Sequence, residues 1–219
     1  MIIYLKGNGM LIDITPLYKQ LNGVLHIGGH HGQECQEYLN AGIKNICVFE
    51  PVPSHYEIIK ENFSNTDIRI FEIALGSQRG TFQMNISDFE GNDAEKYKGM
   101  SSSLLKPKKH LEQYKHITFN ETIDVEVYTL DEFSVENNIN PDDYDFMNID
   151  VQGYELEVLR GATKFIPHMK AIYTEVNRAD VYENCPMVEE IDEFLSGYGF
   201  RREYTNWAGD TWGDALYVR

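Results

Sequence analysis

"VLHIGGHHGQE", residues 24–34, sets an apolar run against two glycines, two histidines and a third glycine. Apolar residues that stop at Gly28 read as a buried strand. Cys35, Tyr38 and Leu39 then recur at helical spacing, and Gly42 closes that helix. Working outward, "NICVFEP" (45–51) is a second strand ended by proline. Ser54 is expected to cap a helix over 55–63, with Glu57 in the capping-box position, and "IRIFEIAL" (68–75) is a third strand. This βαβαβ order is half of a doubly wound parallel sheet.

The pattern loosens over 81–110 and then returns. "TFQMNIS" (81–87) alternates like an exposed strand, and 88–110 is polar and glycine-containing, so 88–116 reads as a lid or substrate-facing insertion. Strands over 122–130, 144–150 and 170–176 alternate with helices over 131–138, 154–162 and 187–200. "RREYTNW" and "GDALYVR", split by the turn-forming "AGDTW", form a C-terminal hairpin. The chain is expected to be one α/β domain over 1–219, with 1–22 as an N-terminal extension.

Composition narrows the partners. Lysine and arginine number 19 against 35 aspartates and glutamates, a formal charge of −16. Such a surface repels phosphate backbones and anionic membranes, and the short basic stretch "KPKKH" (106–110) is no exception, so neither nucleic acid nor membrane is an expected partner. The apolar runs near the N-terminus are shorter than a signal segment and are broken by Lys6, Asn8 and Asp13. Cys35, Cys47 and Cys185 have no paired spacing and fit reduced thiols. A cytoplasmic location is the corresponding expectation.

The glycine loop admits three chemistries. A metal site from His26, His30, His31 and Cys35 lacks zinc spacing, and adjacent side chains at 30 and 31 are expected to diverge, so no metal is assigned. A dinucleotide fingerprint fails where His30 and Gln33 stand in place of glycine. What remains is Gly28 and Gly32, with Glu50 about 20 residues on to accept hydrogen bonds from a ribose. That set suits a nucleoside without a pyrophosphate, and S-adenosylmethionine is the candidate.

"VLHIGGHHGQE", "VFEPVPSHYEIIKENF", "EIALGS", "SSSLL", "VEVYTLDEF", "NIDVQGYELEVLRGA" and "TEVN" together resemble the FkbM-type class I S-adenosylmethionine-dependent methyltransferases over residues 22–218. The resemblance implies a Rossmann-like seven-stranded, mostly parallel sheet with an antiparallel last strand. It also implies methyl transfer to a hydroxyl oxygen of a sugar, glycan or polyketide-type acceptor. By the same resemblance Gly28, Gly29, His30 and Gly32 hold the methionine end of the cofactor. Glu50, with Pro51 beside it, binds the ribose, and Ala74 and Leu75 border the adenine. His26 stands in the cofactor site where the family places an acid.

Asp150 ends a buried strand at the carboxyl edge of the sheet; the resemblance places it in the cofactor site facing the transferring methyl, and it is the expected general base. Glu175, Asn177 and Arg178 end or follow the next strand and are expected to meet the acceptor. Asp150 with Glu175 lacks a third partner for a divalent cation. Glu155 is expected to be a helix-end charge, and Trp207 and Trp212 edge-of-core packing. A small non-sugar acceptor, or an inactive nucleoside-binding scaffold, is the alternative reading. The residues do not specify oligomeric state.

Overall fold

The structure, a computed structural model, describes residues 13–90 and 97–219. Residues 1–12 of the expected extension and 91–96 of the expected insertion lie outside these. β1 (Gly23–Ile27) is buried along its whole length and pairs in parallel with β2 (Asn45–Phe49) and β7 (Phe146–Ile149). The main sheet runs β3-β2-β1-β7-β8-β10-β9, where β3 is Arg69–Phe71, β8 Ala171–Asn177, β9 Arg201–Ala208 and β10 Trp212–Val218. β10 is antiparallel to both β8 and β9, while the other pairs are parallel. This is the expected seven-stranded α/β sheet with its last strand reversed.

Period-2 alternation in the central strands feeds two cores, which is why they read as continuous apolar runs. Leu25, Ile27, Phe49, Met147 and Ile149 pack on one face with α5 (Leu130–Glu136), α6 (Glu155–Arg160) and α7 (Val188–Ser196). Val24, Ile46, Val48 and Phe146 pack on the other with α1 (Thr15–Tyr18), α2 (Cys35–Asn40) and α3 (Pro53–Asn62). The three cysteines are free and buried, Cys47 and Cys35 in these two layers and Cys185 in a small cluster with Val181 and Tyr182.

Three details depart from the sequence reading. α3 starts at Pro53 and not beyond Ser54: Val52 is the N-cap, and Pro53 presets the first helical φ. The apolar run over 68–75 is two strands. β3 stays in the main sheet, and β4 (Ala74–Leu75) leaves it to pair with β6 (Ile117–Tyr128), because Ile73 and Leu75 fill the main core while Ala74 fills a second one. That second core, with Val52, Met84, Ile86, Val125 and Val127, lies within an unforeseen three-stranded sheet, β4-β6-β5, where β5 is Gly80–Phe89.

The segment after residue 97 is stitched to β5 and to the loop that follows β8. Asn85 bridges Ser103, and Pro107 bridges Tyr182 ahead of α4 (Lys109–Gln113). Part of the predicted insertion thereby crosses the carboxyl ends of β7 and β8. Among the described residues no helix is long and apolar enough to cross a membrane.

Candidate active site

A cavity of about 520 Å³ opens at the carboxyl ends of β1, β2 and β7, the edge at which open α/β sheets bind ligands. His26, Gly28, Gly29, His30, Glu50, Pro51, Ala74, Leu75, Asp150 and Glu175, all singled out in the sequence, line it together. Gly28 has φ +86°, and a Cβ there would fall 1.8 Å from the Asp150 carbonyl oxygen, so only glycine lets β1 end against β7. Gly32 is different. It does not line the cavity, and a Cβ there would meet Phe63 and Ile59, so this glycine lets α2 approach α3 and not a ligand.

Glu50, almost fully buried, is held by two backbone donors. Its Oε2 accepts from the His30 amide at 2.7 Å and its Oε1 from the Val52 amide at 2.9 Å. The carboxylate is thus fixed at the end of β2, with acceptor capacity left on each oxygen. His26, also buried, has Nδ1 3.2 Å from the Tyr38 hydroxyl, which in turn accepts from Asn148 Nδ2 at 2.9 Å. Its Nε2 lies 4.0 Å from Glu34 Oε2, so a carboxylate reaches the place where residue 26 provides none.

The adjacent histidines do not diverge as expected. His30 sits in the left-handed region at φ +43°, and this turns its ring onto His31 in a stack with centroids 3.9 Å apart. His55, from α3, completes the cluster at 4.6 Å from His30 and 5.0 Å from His31. Desolvation lowers the pKa of His30, and with the neighbouring imidazoles it lowers that of His31 to about 4.

On the far side of the cavity the carboxylates converge. Asp150 stands open to the cavity, and its Oδ1 accepts from Gln152 Nε2 at 2.7 Å. The same amide nitrogen donates to Glu175 Oε2 at 2.8 Å, and Gln152 Oε1 accepts from the Tyr182 hydroxyl at 2.8 Å. Gln152 takes this position at φ +56°, and Ser103 Oγ pins its carbonyl at 2.7 Å. Enclosure by protein raises the pKa of Asp150, as do the charges of Glu34 and Glu50, while the Gln152 hydrogen bond and His26 act the other way. Burial raises Glu175 far above the usual carboxylate range, helped by Asp150, Glu155 and Asp214. Asp214, facing the cavity from β10, is pushed up to about 7 by burial and by Asp150.

Glu155 is no surface charge. It is fully buried, its Oε1 accepts from the amides of Gly153 and Val151, and burial lifts its pKa to about 7. Two expected acceptor residues are placed elsewhere. Asn177 is fully buried outside the cavity, with no hydrogen bond to its side-chain amide among the described residues. Arg178 stacks 3.4 Å over Trp207 at the surface, and Trp212 donates to Tyr114; both contacts belong to the sheet edge.

Sequence reasoning also missed walls of the site. Thr15 and Tyr18 from the expected extension line it, as do Gly99, Met100, Ser102 and Leu104 from the crossing segment. "SSSLL" (101–105) was the available signal for part of the latter, since it stands among the stretches that carry the family resemblance although it has no periodicity.

With this geometry, the chain matches the model of the Methyltransferase FkbM domain over residues 26–202. It is also 31% identical over 177 residues to the 2-O-methyltransferase NoeI of Sinorhizobium fredii (strain NBRC 101917 / NGR234), covering 80% of this chain and 71% of the relative. The chain belongs to the FkbM methyltransferase family. Its methyl donor is S-adenosylmethionine. Among solved structures it is similar to a ribosomal protein L11 methylase from Lactobacillus delbrueckii subsp. bulgaricus, at 11% identity and a TM-score of 0.46, over 94% of this chain and 76% of that one. It is similar also to the mitomycin 7-O-methyltransferase MmcR, at 13% and 0.46, over 92% and 50%. Such distant likenesses carry nothing about substrate.

The cavity of this FkbM methyltransferase fits its donor in size, being within the usual range of about 300–1,000 Å³ for small-molecule sites. It also fits in charge. Asp13, Glu34, Glu37, Glu50 and Asp150 face it, and among the described residues the lining holds no lysine or arginine, which suits a cationic sulfonium.

Proposed function

We propose that this FkbM methyltransferase methylates a hydroxyl oxygen of a sugar or glycan. The observation that carries this is the Asp150 carboxylate, open to the cavity and held by Gln152 against a second, buried carboxylate. A sugar hydroxyl is a poor nucleophile, and a positioned base contributes about 10²–10⁴-fold to such a transfer. Bound S-adenosylmethionine supplies a methyl group activated on a sulfonium sulfur. Asp150 accepts the proton of the acceptor hydroxyl as its oxygen gains the methyl.

Glu50 binds the ribose hydroxyls with Pro51 beside it, Ala74 and Leu75 border the adenine, and the Gly28–His30 backbone holds the methionine end. Glu34, beside His26, supplies the negative charge for the donor's ammonium group. Glu175 and the wall over 99–104 face the acceptor. The absence of lysine and arginine from the described lining favours an uncharged, hydroxyl-rich acceptor over a phosphorylated one, and the 31% identity to a 2-O-methyltransferase supports oxygen as the methylated atom.

The test is incubation with S-adenosylmethionine and a panel of free sugars, oligosaccharides, phenols and amines, with products read by mass spectrometry and fragmentation. O-methylated sugar is expected. Methylation confined to phenols or other small non-sugar acceptors would move the assignment to the alternative class, and methylation confined to amines would overturn hydroxyl transfer.

A further inference from the structure

The histidine cluster beside the cavity has no assigned side-chain role in the methyl transfer proposed above, yet its geometry is specific. We propose that His30, His31 and His55 form a binding site for a divalent transition metal ion of the zinc class. One ring nitrogen from each residue lies within 4.8 Å of the other two. A tetrahedral zinc at about 2.0–2.1 Å from its nitrogen ligands sets them about 3.4 Å apart, so closure needs only modest ring rotations. Neither ring nitrogen of His31 has a hydrogen bond among the described residues, so that ring is free to turn.

Three further observations support the site. The first is the backbone: a left-handed residue other than glycine is costly, and the one at His30 is what brings two successive imidazoles to the same side. The second is the orientation of the rings. Metal-bound histidines characteristically direct their other nitrogen to a carbonyl or carboxylate. His30 Nε2 lies 3.1 Å from the Lys98 carbonyl oxygen, and His55 Nδ1 lies 3.6 Å from Glu50 Oε1. Each arrangement leaves the opposite nitrogen for a metal. On His30 that nitrogen, Nδ1, meets the Gln33 amide at 2.9 Å, a contact the ion would replace. Gln33 Oε1 accepts from the His31 amide, and this orients the Gln33 nitrogen toward His30 as a donor.

The third is the donor set. Three imidazoles select zinc, nickel, cobalt or copper over magnesium or calcium. His30 and His55 both line the cavity, so a fourth position would open toward it, as in three-ligand sites that retain a water. The set differs from the one the loop sequence suggests. His26 is held by Tyr38, and Cys35 is buried with burial pushing its thiol up to about 12; His55 arrives from α3 instead.

The test needs neither acceptor nor turnover. Tag-free protein is titrated with Co²⁺, read by its visible absorption, and with Zn²⁺ by calorimetry. One saturable equivalent is expected, with affinity falling at least tenfold in His31→Ala and in His55→Gln, as the loss of a ligand requires. His168→Ala, which alters an exposed histidine paired with Asp142, is expected to bind as the wild type does. His31 is the safer site for substitution because it is partly exposed and fills no core. Circular dichroism and thermal unfolding confirm that each variant is folded, and an S-adenosylhomocysteine titration does so in addition for His31→Ala. No saturable equivalent, or affinity unchanged in His31→Ala, would overturn the site without touching the methyltransferase reading.

Discussion

The two sides of the cavity are built by different means. The donor side, at the ends of β1 and β2, is local: Gly28, His30 and Glu50 lie on consecutive strand–turn units, and backbone amides orient the Glu50 carboxylate. The acceptor side is assembled from distant segments, with Ser103, Asp150, Gln152, Glu175, Tyr182 and Asp214 converging through side-chain hydrogen bonds and shared charge. A side made by backbone geometry tolerates neighbouring substitutions. One made by a side-chain network does not, because each lost member leaves a buried partner unsatisfied.

Asp150→Asn breaks this comparison most sharply. Asparagine keeps an oxygen for Gln152 but cannot take a proton, so turnover is expected to fall about 10²–10⁴-fold. S-adenosylhomocysteine affinity is expected to stay within about threefold, since the loss is confined to the transition state. Equal losses in both would merge the two sides into one.

Gln152→Leu comes next. Removing the amide removes the hydrogen bond that lowers the Asp150 pKa, so that pKa rises and less of the base is ionised at a given pH. The acidic limb of kcat/KM should move to higher pH, and turnover measured on that limb should fall relative to the wild type. An unchanged limb would separate Gln152 from the base.

A third effect concerns stability and not turnover. Glu155 has its pKa raised from 4.5 to about 7 in the folded protein. The folded state therefore binds more protons than the unfolded state between those values, and this group's contribution falls as pH rises from about 4.5 to 7, by on the order of 3 kcal/mol at most. Urea unfolding from pH 5 to pH 8 should show a shallower decline in Glu155→Gln than in the wild type. Parallel pH profiles would mean that Glu155 is ionised throughout.

The same contrast explains what could be read in the sequence. The succession of strands and helices, and the loop and acid that line one side of the cavity, were legible because they follow from short-range rules: an apolar run, a glycine turn and an acid one strand later. The split of "IRIFEIAL" into β3 and β4 was hidden, because alternation serves two cores as readily as one. Gln152 was hidden because its left-handed backbone and three partners are set by tertiary contacts. Asn177 and Arg178 misled because a position at the end of a strand does not say which way the chain turns next. His30 and His31 misled because alternation holds only while φ is negative.

The most direct test of the account is a calorimetric titration of S-adenosylhomocysteine into the wild type and Glu50→Ala. The account predicts one site in the wild type and a ten- to hundredfold weaker one in the variant, the loss of about 1.5–3 kcal/mol expected for hydrogen bonds to a charged group. Equal affinity in the two proteins would contradict the placement of the donor against the end of β2, and with it the division of the cavity into two sides.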